Sequence, residues 1–437
     1  MQHRGALGDS LGADATTNVG MVSGWAPANC RLDLPMTPTT AAQLRELFFQ
    51  HVCQTSLSPL GIVVASASGC EIIDSEGKRY LDLLSGMGVA NVGYAHPRVV
   101  AAIEQQLRRY LHVSVYGEMI EEPQVRLAEA LARVSPGDLS VVYFTNSGAE
   151  AVEGAMKTAR KFTGRRRFIA FQGAFHGDTF GALSLGGNPL YRRPFEPLVP
   201  EVEFLPFGDT DALDRIGTDV AAVFVEPVQC EGGVRVPPDA FLPSLRARCS
   251  EVGALLVCDE VFTGLGRTGR WFACDHWNVE PDLLVLAKAL GGGLPLGAFV
   301  GRREIMATLS RDPALAHVTT FGGHPLSCAA GLAALEVLSE ENLPARAAEL
   351  GSRWQRELVQ TLAPHVRAVR GLGLLLALEF PSSVATQRFS MRCLELGLIV
   401  NWTLHCDNVV RLAPPLCIRE DQLDDAVRRM ALAARGV

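Results

Sequence analysis

The chain is 437 residues long, 48% hydrophobic and 20% charged, with a formal net charge of −7. That supplies a large core and enough length for two or three domains, or for one large α/β domain with an attachment. It argues against a nucleic-acid binder, since no basic stripe or basic–aromatic patch occurs, and against a membrane protein, since no apolar run is long enough to span. The opening Met1-Gln2-His3-Arg4-Gly5 carries no apolar signal stretch, and the 11 cysteines form no CxxC pair. Scattered cysteines in a chain this long suit a reduced, cytoplasmic protein in which they pack as small hydrophobes. Cys274 and His276 come nearest to a metal pair, and no metal site is expected.

Residues 1–38 are rich in Gly, Ala, Thr and Asn without periodicity, which predicts a mobile extension. From Ala41 the apolar set Leu44, Leu47, Phe48 and Val52 predicts one amphipathic helix. Runs at 62–65, 69–74 and 79–83, with a turn at Glu76-Gly77, predict a small antiparallel unit. Residues 85–97 form a glycine-punctuated loop leading to a helix that bears Val99, Ile103 and Leu107. From about Val141 short apolar runs alternate with amphipathic helices, the pattern of βαβ units around a parallel sheet.

In that region the run 141–145 leads into Asn146-Ser147-Gly148-Ala149-Glu150, where a Ser-Gly turn opens a helix. Unpaired N–H groups and the positive end of the helix dipole make a ready phosphate site there, although serine at that place also serves as an ordinary N-cap. Four later runs finish at polar or aromatic groups. The run 167–171 precedes Phe175-His176-Gly177, 220–225 ends at Glu226, 254–258 at Asp259, and 282–287 at Lys288, with Gly291-Gly292-Gly293 close behind. Such endings gather at the carboxyl edge of one sheet, where α/β folds bind ligands.

A lysine closing a buried strand is costly unless paired, neutralised or used covalently. A desolvated amine beside a glycine turn suits Schiff-base chemistry with an aldehyde. The amine of Lys288, the acid of Asp259, a phosphate-binding helix start at Ser147 and Gly148, and the ring of Phe175 are the parts that pyridoxal phosphate requires. Asp259 would keep the pyridine nitrogen protonated, Phe175 would stack on the ring, and Lys288 would act as general base and acid.

The stretch Cys258-Asp259-Glu260-Val261-Phe262-Thr263-Gly264-Leu265-Gly266-Arg267-Thr268-Gly269, followed by Lys288 and its glycines, resembles the class III pyridoxal-phosphate aminotransferases of fold type I. Ser147-Gly148-Ala149-Glu150-Ala151, Phe175-His176-Gly177, Glu226-Pro227-Val228-Gln229 and Thr319-Thr320-Phe321-Gly322-Gly323-His324 fall in the family's order. The likeness runs from about Ala41 onward. Asn401-Trp402-Thr403 and Val410-Arg411-Leu412-Ala413-Pro414-Pro415-Leu416 bring it nearest the ornithine, acetylornithine and putrescine branch.

The resemblance implies an α/β fold with a large domain (91–336) built on a mostly parallel, seven-stranded sheet. A smaller α+β domain would come from both chain ends (39–90 and 337–437). It implies transfer of an amino group from a primary amine or an ω-amino or diamino donor to 2-oxoglutarate or pyruvate, ping-pong through pyridoxamine phosphate. Lys288 and Asp259 would be catalytic, and Ser147, Gly148, Ala149, Phe175, His176, Glu226 and Val261 would hold the cofactor. Thr320 would reach the phosphate of a neighbouring subunit, which implies a homodimer with shared sites and leaves a dimer of dimers open. Glu231 and Arg411 would pair at the substrate, either as a gate that opens for an α-carboxylate or as a fixed bridge. Tyr116, Trp402 and Met87 are candidates for the substrate pocket, with core or interface places equally open.

Four departures from the family pattern bear on the donor. Phe262 stands where Gln is usual, Cys230 where Gly is expected, and His324 where Asn is common. Gly177-Asp178-Thr179 lacks an arginine that acetylornithine-type enzymes use, which favours a diamine or ω-amino donor. Decarboxylation, mutase and racemase chemistry share this fold, and a non-catalytic regulatory member is a further alternative.

Overall fold

Val220–Val225 is apolar at every residue, and a strand with no polar alternation has to be covered on both faces. The computed structural model describes residues 40–115 and 119–435 and covers that strand as expected. The described residues divide into two compact units between Gly61 and Ile62. The predicted extension 1–38 and the candidate Tyr116 lie outside the described residues.

The first unit contributes the helix Ala41–His51, which Thr40 and Gln43 close with a reciprocal capping box. Its expected apolar stripe is present, and Leu44, Leu47, Phe48 and Val52 are all exposed.

The second unit holds three sheets. The first begins with β1 (Val64–Ser68), β2 (Glu71–Asp74) and β3 (Arg79–Asp82), antiparallel in succession as the sequence predicts. The central sheet is made of β4 (Val141–Thr145), β5 (Arg167–Phe171), β6 (Val202–Leu205), β7 (Val220–Val225), β8 (Leu255–Asp259), β9 (Leu283–Leu286) and β10 (Gly297–Gly301). Further along come β11 (Ala368–Leu372), β12 (Leu375–Glu379), β13 (Leu398–Ile399), β14 (Asn401–Trp402) and β15 (Val409–Leu412). β13 adds to the first sheet parallel to β3, and the others form a four-stranded sheet in the order β11-β12-β15-β14.

The central sheet has the order β4-β10-β9-β8-β7-β5-β6. Every pairing from β9 to β6 is parallel, while β10 runs antiparallel to both its neighbours. β4 therefore points the same way as β9. The order β9-β8-β7-β5 sets the ends that carry Lys288, Asp259, Glu226 and Phe175–His176 side by side, and the end of β4 shares that edge.

One local difference from the sequence reading matters. β9 stops at Leu286, and Lys288 instead opens a 3-10 turn, Lys288–Gly291, with φ +49°. A lysine in the left-handed region is uncommon and signals a constrained position. Nearer the C-terminus, β11 and β12 form a hairpin. The loop after β3 contains a single turn, Ser85–Gly88, whose residues all have positive φ and so wind in the left-handed sense.

Arg267 ties these parts together from a fully buried position. Its Nη1 donates to the carbonyls of Leu374 and Pro414, and its Nη2 to Ser85 Oγ and Asn91 Oδ1. One guanidinium thus fastens the 85–91 loop to the start of β12 and to the segment after β15.

Candidate active site

The carboxyl edge of the central sheet encloses a cavity of about 400 Å³, within the range of small-ligand sites. Ser147, Gly148, Ala149, Phe175, His176, Glu226, Glu231, Asp259, Val261 and Lys288 all line it, so ten of the expected residues meet in one place.

Each is positioned by its element. Ser147 caps the helix Gly148–Thr163, its hydroxyl accepting from the Glu150 N–H at 3.2 Å. The first-turn N–H groups of Gly148 and Ala149 have no partner within the helix and lie at the cavity wall. A side chain at Gly148 would bring its Cβ within 3.1 Å of Val261, so glycine there keeps the cradle open. Asp259, at the end of β8, accepts from His176 Nδ1 at 2.7 Å and from the Val261 N–H at 3.0 Å. His176 Nε2 is buried without a partner. Glu226 accepts from the N–H groups of Phe175 and Cys230, each at 3.0 Å, and so fixes the loop that presents the Phe175 ring.

The electrostatics follow from dense packing. Lys288 opens part of its surface to the cavity, yet the protein around it is close enough to penalise the charged amine. Burial first, and then the charge of Arg411, push its pKa below the ordinary lysine value. Burial alone would lower His176, but its bond to Asp259 and the charges of Asp259 and Glu226 outweigh that and raise it. Burial raises Glu226 to about 7. At Glu231 burial works upward, while the charge and hydrogen bond of Arg411 prevail and hold the carboxyl below its usual value.

Glu260, next to Asp259, is a buried carboxyl that the sequence reading did not single out. It accepts from Thr263 Oγ1 and from the Cys274 N–H, and burial raises it to about 7. The fold favours its protonated form. Its contribution to stability is therefore full below the ordinary value of 4.5 and is lost as pH rises through about 7. That loss amounts to about 3 kcal/mol. Glu260→Gln keeps an acceptor for Cys274 and a donor for Thr263, so the thermal midpoint of the cofactor-free variant should fall less than wild type between about pH 5 and 8. Parallel curves for the two proteins refute the assignment.

The family model for class III aminotransferases matches residues 53–434. The chain belongs to the class III aminotransferases. It is 44% identical over 393 residues to the acetylornithine aminotransferase of Methanopyrus kandleri, an alignment covering 90% of this chain and 99% of that one. It is 45% identical over 378 residues to the putrescine aminotransferase of Pectobacterium atrosepticum, covering 83% and 80%. The solved ornithine aminotransferase of Toxoplasma gondii superposes with a TM-score of 0.85 at 33% identity, covering 91% of this chain and 95% of that one.

This aminotransferase uses pyridoxal phosphate, and the residues present fit it. An open helix start, a lysine with a weakened hold on its proton, and a carboxylate backed by histidine share one cavity. Of the remaining expected residues, Arg411 is buried and stands just behind the cavity wall, where its Nη1 pairs with Glu231. Met87 is exposed, with its sulfur 3.9 Å from Arg411 Nη2. Trp402, on β14, is 38% exposed and does not line the cavity, and neither does the exposed Thr320.

The sequence reading missed two participants. His405 packs edge-on against Phe175 at 5.8 Å and stacks on Tyr191 at 5.1 Å, 230 positions further along than Phe175. No sequence signal joins them. Phe262, noted only as a departure, lies under both cations of the site.

Proposed function

We propose that this aminotransferase takes its amino group from a diamine or ω-amino donor such as putrescine or ornithine and passes it to 2-oxoglutarate or pyruvate. The observation that carries the reading is the Glu231–Arg411 pair, with Glu231 on the cavity wall and Arg411 behind it. With its charge answered from inside the chain, Arg411 leaves the cavity free for an amine that bears no carboxylate at the reacting carbon. Asp178, beside Phe175–His176–Gly177, gives no basic partner to a second carboxylate.

When bound, pyridoxal phosphate supplies an aldehyde that carries the amino group and a ring that accepts electrons from the substrate Cα. The chain's own groups do the rest. The N–H groups around Ser147–Ala149 and the helix dipole bind the phosphate. Phe175 and Val261, which line the same cavity, would contact the ring. Asp259, held by His176, keeps a proton at the pyridine nitrogen. Lys288, which burial disposes to release its proton, would take the proton from the substrate Cα and deliver it, across the amino nitrogen, to the carbon that the cofactor's aldehyde supplies. The apolar lining from Val261, Phe262, Leu294 and Leu296 limits water.

The same reading makes the enzyme a cytoplasmic homodimer in which Thr320 of one copy reaches the phosphate of the other. On that reading 39–90 and 337–437 make a small domain and 91–336 a large one, and Trp402 and Tyr116 are candidates for contact with parts of the substrate outside the cavity. Its support is the exposure of Thr320, the free state of every described cysteine, and the lack of any described helix long and apolar enough to cross a membrane.

The test follows the cofactor's visible absorbance after single additions of putrescine, ornithine, acetylornithine, 4-aminobutyrate and alanine, with no keto acid. Bleaching by putrescine or ornithine is expected. Bleaching by acetylornithine alone overturns the donor assignment.

A further inference from the structure

Phe262 is 7% exposed and lines the cavity, and its ring meets two cations. Lys288 Nζ lies 4.2 Å from the ring centroid and Arg411 Cζ lies 4.6 Å from it. The ring has a built seat. A Cβ at Gly88 would come within 3.1 Å of two ring carbons, so that glycine, at φ +81°, is what lets the ring lie there. Val228, Cys230, Val234 and Ala413 pack in the same apolar cluster.

Arg411 has little else to orient it. It is fully buried, only Nη1 has a charged partner, Nη2 faces the weak acceptor Met87 Sδ, and Nε has none. An ion pair at one nitrogen leaves a guanidinium free to rotate about that contact, whereas an aromatic face against it fixes its plane. Arg411 is not among the residues that line the cavity, whereas Glu231 and Phe262, which both touch Arg411, are, so a carboxylate entering from the cavity meets those two side chains first.

We propose that Phe262 is a positioning residue that seats the Lys288 amine and the Arg411 guanidinium on one aromatic ring, and so sets this enzyme's affinity for partners that carry a carboxylate on the reacting carbon. The proposal rests on the reading of Arg411 as the carboxylate site. It separates the two half-reactions. A diamine uses the ring only through Lys288, whereas an α-keto acid uses both cations.

The test compares Phe262→Leu and Phe262→Met, which keep an apolar filler in the cluster, with Phe262→Tyr, which keeps the aromatic face. Each variant is taken forward at the wild-type thermal midpoint of the holoenzyme. In Leu and Met the KM for 2-oxoglutarate should rise about tenfold, the worth of one desolvated cation–π contact. The KM for putrescine should change less than about twofold. Calorimetric binding of 2-oxoglutarate to the cofactor-free protein should weaken by the same factor. The acid limb of the putrescine half-reaction should move to lower pH, because the ring favours the charged amine. Phe262→Tyr should restore all of these. Equal losses for both substrates, unchanged 2-oxoglutarate binding in Leu and Met, or no recovery in Tyr each overturn the role of Phe262. Failure of wild type itself to bind 2-oxoglutarate overturns instead the carboxylate reading on which it rests.

Discussion

Lys288→Ala should lower the rate of amino transfer by roughly 10⁴-fold, the size expected when a general acid–base group is deleted. The cavity supplies no substitute: the other titratable side chains on its wall are His176, Glu226, Cys230, Glu231 and Asp259, each already engaged with a protein partner, and burial holds the Cys230 thiol in its neutral form. Borohydride treatment should attach the cofactor to the wild-type chain and add one pyridoxyl phosphate to the peptide bearing Lys288. The variant should show no such peptide. Because Lys288 sits at positive φ, its backbone conformation is no better suited to alanine, so a modest fall in thermal midpoint is expected beside the kinetic effect. A variant that retains a tenth or more of wild-type activity removes Lys288 from the chemistry.

The second large effect concerns Glu231 and Arg411. Removing one member of a buried pair leaves an uncompensated charge, which costs about 3 kcal/mol or more. Arg411 is fully buried and Glu231 is its one charged partner among the described residues, so Glu231→Ala should show that loss in chemical denaturation. Arg411→Ala should raise the KM for 2-oxoglutarate about 100-fold, the worth of a charge-assisted contact, and leave the putrescine half-reaction near wild type. This pattern distinguishes a gate from a fixed bridge. For a gate, Glu231→Ala binds 2-oxoglutarate at least as well as wild type, because the arginine is already uncovered. For a fixed bridge it binds worse, because the arginine has lost its support.

Much of this site was legible in the sequence because it is written in strand endings. Apolar runs closing at Glu226, Asp259 and Lys288 needed only the parallel topology to bring them together, and strand order then did the rest. Local propensity is silent about what happens one residue beyond a strand. Lys288 follows Ala287 into a left-handed turn because three nearby glycines and the cavity shape the backbone there, not because of any preference of lysine. The helix Ala41–His51 shows the opposite limit: periodicity gave the element and its apolar stripe, but not the burial of that stripe. Contacts such as His405 on Phe175, or the two cations on Phe262, arise from segments far apart in the chain, and no spacing rule encodes them.

The order of the central sheet also has a meaning in time. β4, which leads into the phosphate-binding helix, touches the rest of the sheet only through β10, and β10 closes at Gly301. During synthesis the helix start is therefore made roughly 150 residues before the strand that pairs β4 into the sheet is complete. Such late, long-range closure makes for slow folding. A chain halted short of β10 leaves β4 unpaired, so the helix start is held to the rest of the site only by packing of Gly148–Thr163 on β7, β8 and β9. Cofactor capture then marks completion of the central sheet, and in a refolding reaction it should appear as one of the last events rather than as a nucleus.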